Sequence, residues 1–142
     1  MTTRPFGIPD YPLAETCPGE VRGARGLSLD ELTLERVVAG EIAMEDLRIT
    51  PQSLSRQAEI SRAAGRPTLA LNLERAAEMA ALPQRVIMEI YELLRPGRAK
   101  SEAELISAAK LLRETYGTFK LADFLEEAAE VYRRRGLYMG RY

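Results

Sequence analysis

An all-α fold is predicted, about five helices forming a bundle behind an irregular Pro/Gly-rich N-terminal arm. Three observations predict it. Apolar residues recur at helical spacing in five windows between Pro51 and Gly136. Each window is bracketed by Thr, Ser or Pro at its start and by Gly or Pro at its end. No run alternates long enough to read as a strand. The chain of 142 residues is expected to be one domain, with residues 1–27 as the arm and 28–142 as the helical body.

The arm holds Pro5, Pro9, Pro12 and Pro18 with Gly7, Gly19 and Gly23, a density that forbids a long helix. Phe6, Ile8, Tyr11, Leu13 and Val21 are spaced through it, so it is expected to lie on its own body or on a partner. Ser28 and Glu31 have capping-box spacing, which places a short helical region from Ser28 to Gly40. A further turn is expected near Met44–Leu47.

Thr50-Pro51 is a cap followed by a first-turn proline, so a helix should run to about Ala64 and stop at Gly65. Its inner stripe reads Leu54, Ala58 and Ser61, with Ile60 off the stripe. Pro67 opens the next helix, whose face reads Leu69, Leu73, Ala76, Ala77 and Ala80. Pro83 interrupts the pattern and starts a helix with Val86, Ile87, Ile90, Tyr91 and Leu94 on one side. The stretch Asn72–Arg98 is therefore a packing core for the whole chain. RPGRAK at Arg95–Lys100 is a loop. Ser101 and Glu104 form a second capping box, before Leu105, Ala108, Ala109 and Leu112. Thr118 caps the last helix, with Leu121, Phe124, Leu125, Ala128 and Tyr132 inward and Gly136 as its end.

Composition excludes several function classes. The chain has no histidine, so Ser–His and Cys–His nucleophiles and His-containing metal sites are impossible. No EF-hand or comparable oxygen-ligand spacing occurs. A net charge of −1 gives no general pull toward nucleic acid or anionic membrane. The start has no apolar segment of signal-peptide type, and no apolar run approaches a membrane span, so the cytoplasm is the expected location. The single Cys17 excludes an internal disulfide and has no Lys or His neighbour to activate it.

The remaining charged groups read as surface or interface. Arg133, Arg134 and Arg135 complement a helix C-terminus, and Glu126, Glu127 and Glu130 form a solvated face. Asn72, Arg75 and Glu78 lie at i, i+3 and i+6 beside the small-residue stripe. Either Arg75 pairs with Glu78 on the helix, or Asn72 and Arg75 reach a neighbour. Arg48 and Arg98 each stand at a turn, as exposed cations or as anchors to a partner. Tyr11, followed by Pro12, docks either in a partner's pocket or on the chain itself. These six residues, Tyr11, Pro12, Arg48, Asn72, Arg75 and Arg98, are the candidate interface. No catalytic, cofactor-binding or metal-ligating residue is expected.

With those residues placed, the chain resembles a known family from end to end. The motifs are DYPLA at Asp10–Ala14, Cys17-Pro18, LTLERVVAGE at Leu32–Glu41 and DLRITPQSLSRQAEI at Asp46–Ile60. They continue with NLERAAEMAALP at Asn72–Pro83, IMEIYELLRPGR at Ile87–Arg98 and EAAEVYRRR at Glu127–Arg135. Their order and spacing resemble the small (gamma) subunit of adenosylcobalamin-dependent diol dehydratase and glycerol dehydratase.

The resemblance implies a dimer of heterotrimers of large, medium and small subunits. The substrate lies in the large subunit and the cobalamin between large and medium, none of it bound by the small one. It implies a radical conversion of a vicinal diol to an aldehyde plus water, and a non-catalytic small subunit that packs on the large one. Nine residues precede DYPLA, fewer than in diol-type members whose longer N-terminus is linked to a protein-shelled microcompartment. The short N-terminus resembles the glycerol type; it leaves association with a microcompartment open and gives it no support. The tail LYMGRY matches no family feature. The lack of catalytic groups agrees with the subunit role. Two rival readings are a stand-alone helical adaptor forming homodimers, which a genome neighbourhood without large and medium dehydratase genes would favour, and, more distantly, a nucleic-acid binder, which the balanced charge opposes.

Overall fold

The computed structural model describes residues 4–138, and the tail residues from Met139 onward lie outside the described residues. The described residues are all-α: helices joined by short turns, with only an isolated bridge between Arg22 and Ser28 in place of strands. Two compact units divide the chain, Met1–Ala80 and Ala81–Tyr142.

The first unit begins with the arm. A 3-10 turn at Ile8–Asp10, the short α1 (Leu13–Thr16) and a second 3-10 turn at Pro18–Glu20 replace any long helix. The Tyr11–Pro12 peptide is cis. The arm lies on its own body: Phe6, Leu13 and Ile60 form one buried cluster, with Cys17 and Val21 against it. Beyond the arm, Leu29–Glu31 is a 3-10 turn and α2 spans only Leu34–Val38. The Ser28/Glu31 pair is present, with Glu31 accepting from the Ser28 N–H at 2.8 Å, but it closes the 3-10 turn. Thr33 caps α2 instead, accepting from the Arg36 N–H. The expected turn near Met44 is a 3-10 turn at Met44–Leu47.

Helix α3 (Pro51–Ala63) starts as its sequence dictates, with the Thr50 Oγ1 accepting from the Ser53 N–H at 3.2 Å. Helix α4 (Pro67–Ala80) folds back on it. Their contact is made by small residues, Ala58, Ala70 and Ala77 being buried, which lets the two backbones approach closely. Two expectations change here. Ile60 is buried, because the arm covers a second side of α3. Leu69 is 43% exposed, because the inner seam of α4 runs through Ala70 and Ala77, a repeat of seven, rather than through the leucines.

The second unit holds α5 (Gln84–Leu94), α6 (Glu102–Tyr116) and α7 (Phe119–Arg135). Pro83 is the extended residue before α5, at φ −59° and ψ 138°. Leu82, Val86, Ala109, Leu112, Ala122 and Leu125 make its core, with Ile87, Ile90 and Leu94 against it. Tyr91, expected on that face, is 56% exposed. A second cluster of Ala99, Leu105 and Ala129 is closed by Tyr132 and Tyr138, whose rings meet edge to face at 6.1 Å. Gly117, at φ +65°, ends α6 in the left-handed conformation. Thr118 caps nothing through its side chain; its N–H and its Oγ1 both donate to the Leu112 carbonyl, which ties the end of α6 to the start of α7. Glu104 likewise accepts from the Lys100 N–H and not from Ser101.

Candidate interaction surface

The segment between the arm and α3 is built the reverse way from a core element. Between residues 28 and 49 the only buried residue is Asp46, a carboxylate. Its side chain accepts from Arg25 Nε at 2.8 Å and also bonds Arg25 Nη2, and it takes the Ala43 N–H at 2.8 Å. The Arg25 guanidinium lowers its pKa most, despite the burial that opposes. Arg25 also donates to the Glu41 carbonyl at 2.9 Å. Arg36, on α2, donates to Glu41 Oε2 at 2.8 Å and to the Glu31 carbonyl at 3.2 Å. Charge-assisted hydrogen bonds of this kind, rather than apolar burial, hold the segment in place.

The apolar side chains of the segment point the other way. Leu34 is 73% exposed and Val38 80%, and with Val37 they occupy i, i+3 and i+4, one face of α2. Leu29, Met44, Leu47 and Ile49 are exposed as well. A depression of about 340 Å³ is lined by Leu13, Leu29, Leu32, Leu47, Arg48 and Ile49, among others.

The arm carries a second buried carboxylate. Asp10 accepts from Arg4 Nη2 at 2.6 Å and Nη1 at 2.8 Å, and from the Gly7 N–H at 2.8 Å. These bonds, Arg4's first, hold its pKa down to about 2. Neither carboxylate is poised near neutrality for proton transfer. Among the described residues no cluster of three or more His, Cys, Asp or Glu is arranged to hold a metal ion, and no helix is long and apolar enough to cross a membrane.

The six residues expected at an interface fall in different places. Tyr11 is 63% exposed at the tip of the arm. Pro12 is half-buried, and its carbonyl receives the Glu15 and Thr16 N–H groups as α1 begins. Arg48 is exposed between Leu47 and Ile49 and, among the described residues, has no ion-pair partner; it shares its depression with Leu13 of the arm. Asn72 and Arg75 are brought together on α4, Arg75 Nη1 donating to Asn72 Oδ1 at 3.2 Å. Arg98 belongs to the second unit, where its Nε lies 3.9 Å from Glu92 on α5. The outward face of α2 was not among the expected sites. Its signal was legible: three apolar residues on one side of a helix too short to bury them.

Comparison with known proteins gives this surface its context. A family described as "Dehydratase small subunit" matches residues 6–138. The propanediol dehydratase small subunit of Salmonella typhimurium strain LT2 is 44% identical over 134 residues, covering 94% of this chain and 77% of that protein. The propanediol dehydratase small subunit of Citrobacter freundii is 44% identical over 128 residues, covering 90% of this chain and 74% of that one. The end-to-end order of motifs, the all-α architecture and the family match over nearly its whole length agree: this chain belongs to the dehydratase small-subunit family.

Proposed function

We propose that the chain is the non-catalytic small subunit of an adenosylcobalamin-dependent dehydratase that converts propanediol or glycerol to an aldehyde plus water. It packs on the large catalytic subunit and supports assembly of large, medium and small subunits into a dimer of heterotrimers. The observation that carries this reading is the 44% identity, across almost the whole chain, with propanediol dehydratase small subunits.

The chemistry of the residues supports a role without catalysis. There is no histidine, and the two buried carboxylates are held ionised by arginines as structural ties. The cobalamin supplies the radical chemistry of such enzymes, and the residues here do not fit it. The depression between α5 and α6, about 480 Å³, is lined mostly by apolar side chains, Val86, Ile90, Leu93 and Leu111 among them. Its polar members are Glu89, Glu104 and Ser107, two of them carboxylates that oppose a phosphate. A corrinoid carries amide groups and a phosphate, which demand polar partners when buried. On this reading the cofactor is bound by the other subunits. Tyr11, Pro12, Arg48, Asn72, Arg75 and Arg98 serve as contact or anchoring residues. The complex belongs in the cytoplasm, where the free Cys17 stays reduced.

The test is co-expression with large and medium dehydratase subunits, followed by pull-down and a cobalamin-dependent aldehyde assay with and without this chain. The expected result is a complex whose activity needs this chain. A chain that purifies alone, with activity unaffected by its omission, would overturn the reading in favour of a stand-alone adaptor. Comparing propanediol with glycerol in the same assay fixes the substrate.

A further inference from the structure

We propose that the segment from Leu29 to Ile49 is the surface that docks on the larger dehydratase subunit, which covers the outward face of α2 with apolar side chains and meets Arg48 with a carboxylate. This rests on the subunit reading above and names the surface that carries it.

Four observations converge on that segment. Helix α2 turns its apolar side chains to solvent: Leu34, Val37 and Val38 are exposed, while Arg36 is paired with Glu31 and Glu41. Leu29, Met44, Leu47 and Ile49 of the same segment are exposed as well, and Leu29, Leu47 and Ile49 share one depression with Arg48.

The segment is also held before any partner arrives. The Arg25–Asp46 pair and the Arg36–Glu41 pair fix it, so little ordering remains for the docking step. Finally, Arg48 sits between two exposed apolar residues and, among the described residues, no carboxylate pairs with it. A cation in that setting is complemented by a carboxylate whose desolvated pairing sets register.

The same charges argue against a second copy of this chain as the occupant. A two-fold contact sets the patch against itself. Glu31, Glu41, Glu45 and Asp46 are already engaged by Arg25 and Arg36, which leaves only Asp30 and Glu35 of the segment to answer Arg48. A larger subunit has no such restriction.

The experiment uses the chain co-expressed with tagged large and medium subunits, in four forms: unchanged, Val38→Asp, Arg48→Glu and Ile106→Asp. Ile106 is an exposed apolar residue of α6 and serves as the control. Far-UV circular dichroism of each isolated chain checks that its helices are intact. Val38→Asp and Arg48→Glu are expected each to cut recovery with the large subunit at least about tenfold, with Ile106→Asp recovered like the unchanged chain. If both segment variants co-purify like the unchanged chain, this surface is overturned and the subunit reading stands. If the unchanged chain itself fails to co-purify, the subunit reading falls. If the isolated chain is a dimer that Val38→Asp dissociates, the occupant is a second copy and the assignment to the larger subunit is overturned.

Discussion

Arg25 and Asp46 stand 21 positions apart and close the segment between them through a two-pronged pair, with Nε donating to Oδ1 at 2.8 Å and Nη2 donating to Oδ2. The Asp46 side chain is wholly buried while that of Arg25 is 45% exposed, so the pair works as a latch reached from the surface. Asp46→Asn keeps an acceptor for the Ala43 N–H and loses the charge. The segment from Arg25 to Ile49 should then open locally, with amide hydrogen exchange at least about tenfold faster than in the unchanged chain. Exchange in α6 and α7 should not change, and mass spectrometry of peptides distinguishes the two regions.

Acid should loosen the first unit through the same two carboxylates. Asp10 titrates at about 2, below the ordinary 3.8, because Arg4 and the Gly7 N–H favour its ionised form. Asp46 is lowered likewise, by Arg25 first. A depressed folded pKa contributes stability that is complete above the unfolded value and is lost as pH falls through the folded one. Thermal midpoints should therefore hold down to pH ~4 and fall between pH ~4 and ~2. Asp10→Asn should be less stable at neutral pH and should show a shallower fall over that window.

The arm should detach before the helices do. Phe6 is buried against Leu13 and Ile60, its N–H donates to Glu59 Oε2 at 2.7 Å, and the Arg56 guanidinium lies 5.3 Å from its ring centre. Phe6→Ala removes an anchor worth about 3 kcal/mol. Limited proteolysis should then cut within the first 20 or so residues while far-UV circular dichroism stays near that of the unchanged chain. Equal protease resistance would show that the arm is held by other contacts.

Leu125 is completely buried in the core of the second unit, with Leu112 and Val86. Leu125→Ala should cost about 2–5 kcal/mol, the range for deleting a buried leucine and leaving a cavity. Urea denaturation should show a lower midpoint with an unchanged slope.

Arg48→Ala and Arg75→Ala should each weaken co-purification with the larger subunits and leave the isolated chain folded. Arg48 has no ion pair to lose within the described residues, and Arg75 gives up, among its contacts, the donation to Asn72 Oδ1. An unchanged pull-down for both variants would remove them from the interface.

The long helices were legible because their boundaries are local chemistry. Thr50-Pro51 starts α3, and Gly117 and Gly136 close α6 and α7 with φ of +65° and +64°. What escaped depends on contacts distant in sequence. Ile60 reads as off-stripe only if α3 has one packing partner, and the arm is its second. Ser28 and Glu31 make the expected pair, but the turn they close is 3-10, since Leu32 leaves helical geometry at ψ 76°. Tyr91 shares helical phase with Ile87 and Leu94 yet lies at the edge of their stripe, where its polar tip reaches water. At the candidate surface, the residue types at Tyr11, Arg48 and Arg75 were legible. Which arginines are already engaged was not, because Arg25 and Arg36 find their carboxylates through the path of the loop.

The tie from Thr118 to the Leu112 carbonyl has a kinetic consequence. It joins α6 to α7 through a connection of two residues, Gly117 and Thr118, just as Ala64–Arg66 joins α3 to α4. Contacts across such hairpins are near in sequence, so little loop-closure entropy opposes them and they form quickly. During synthesis, at roughly 5–20 residues per second, each pair has time to zip as soon as its second helix leaves the ribosome. Each hairpin thus forms ahead of the contacts that are distant in sequence, such as those by which the arm covers Ile60.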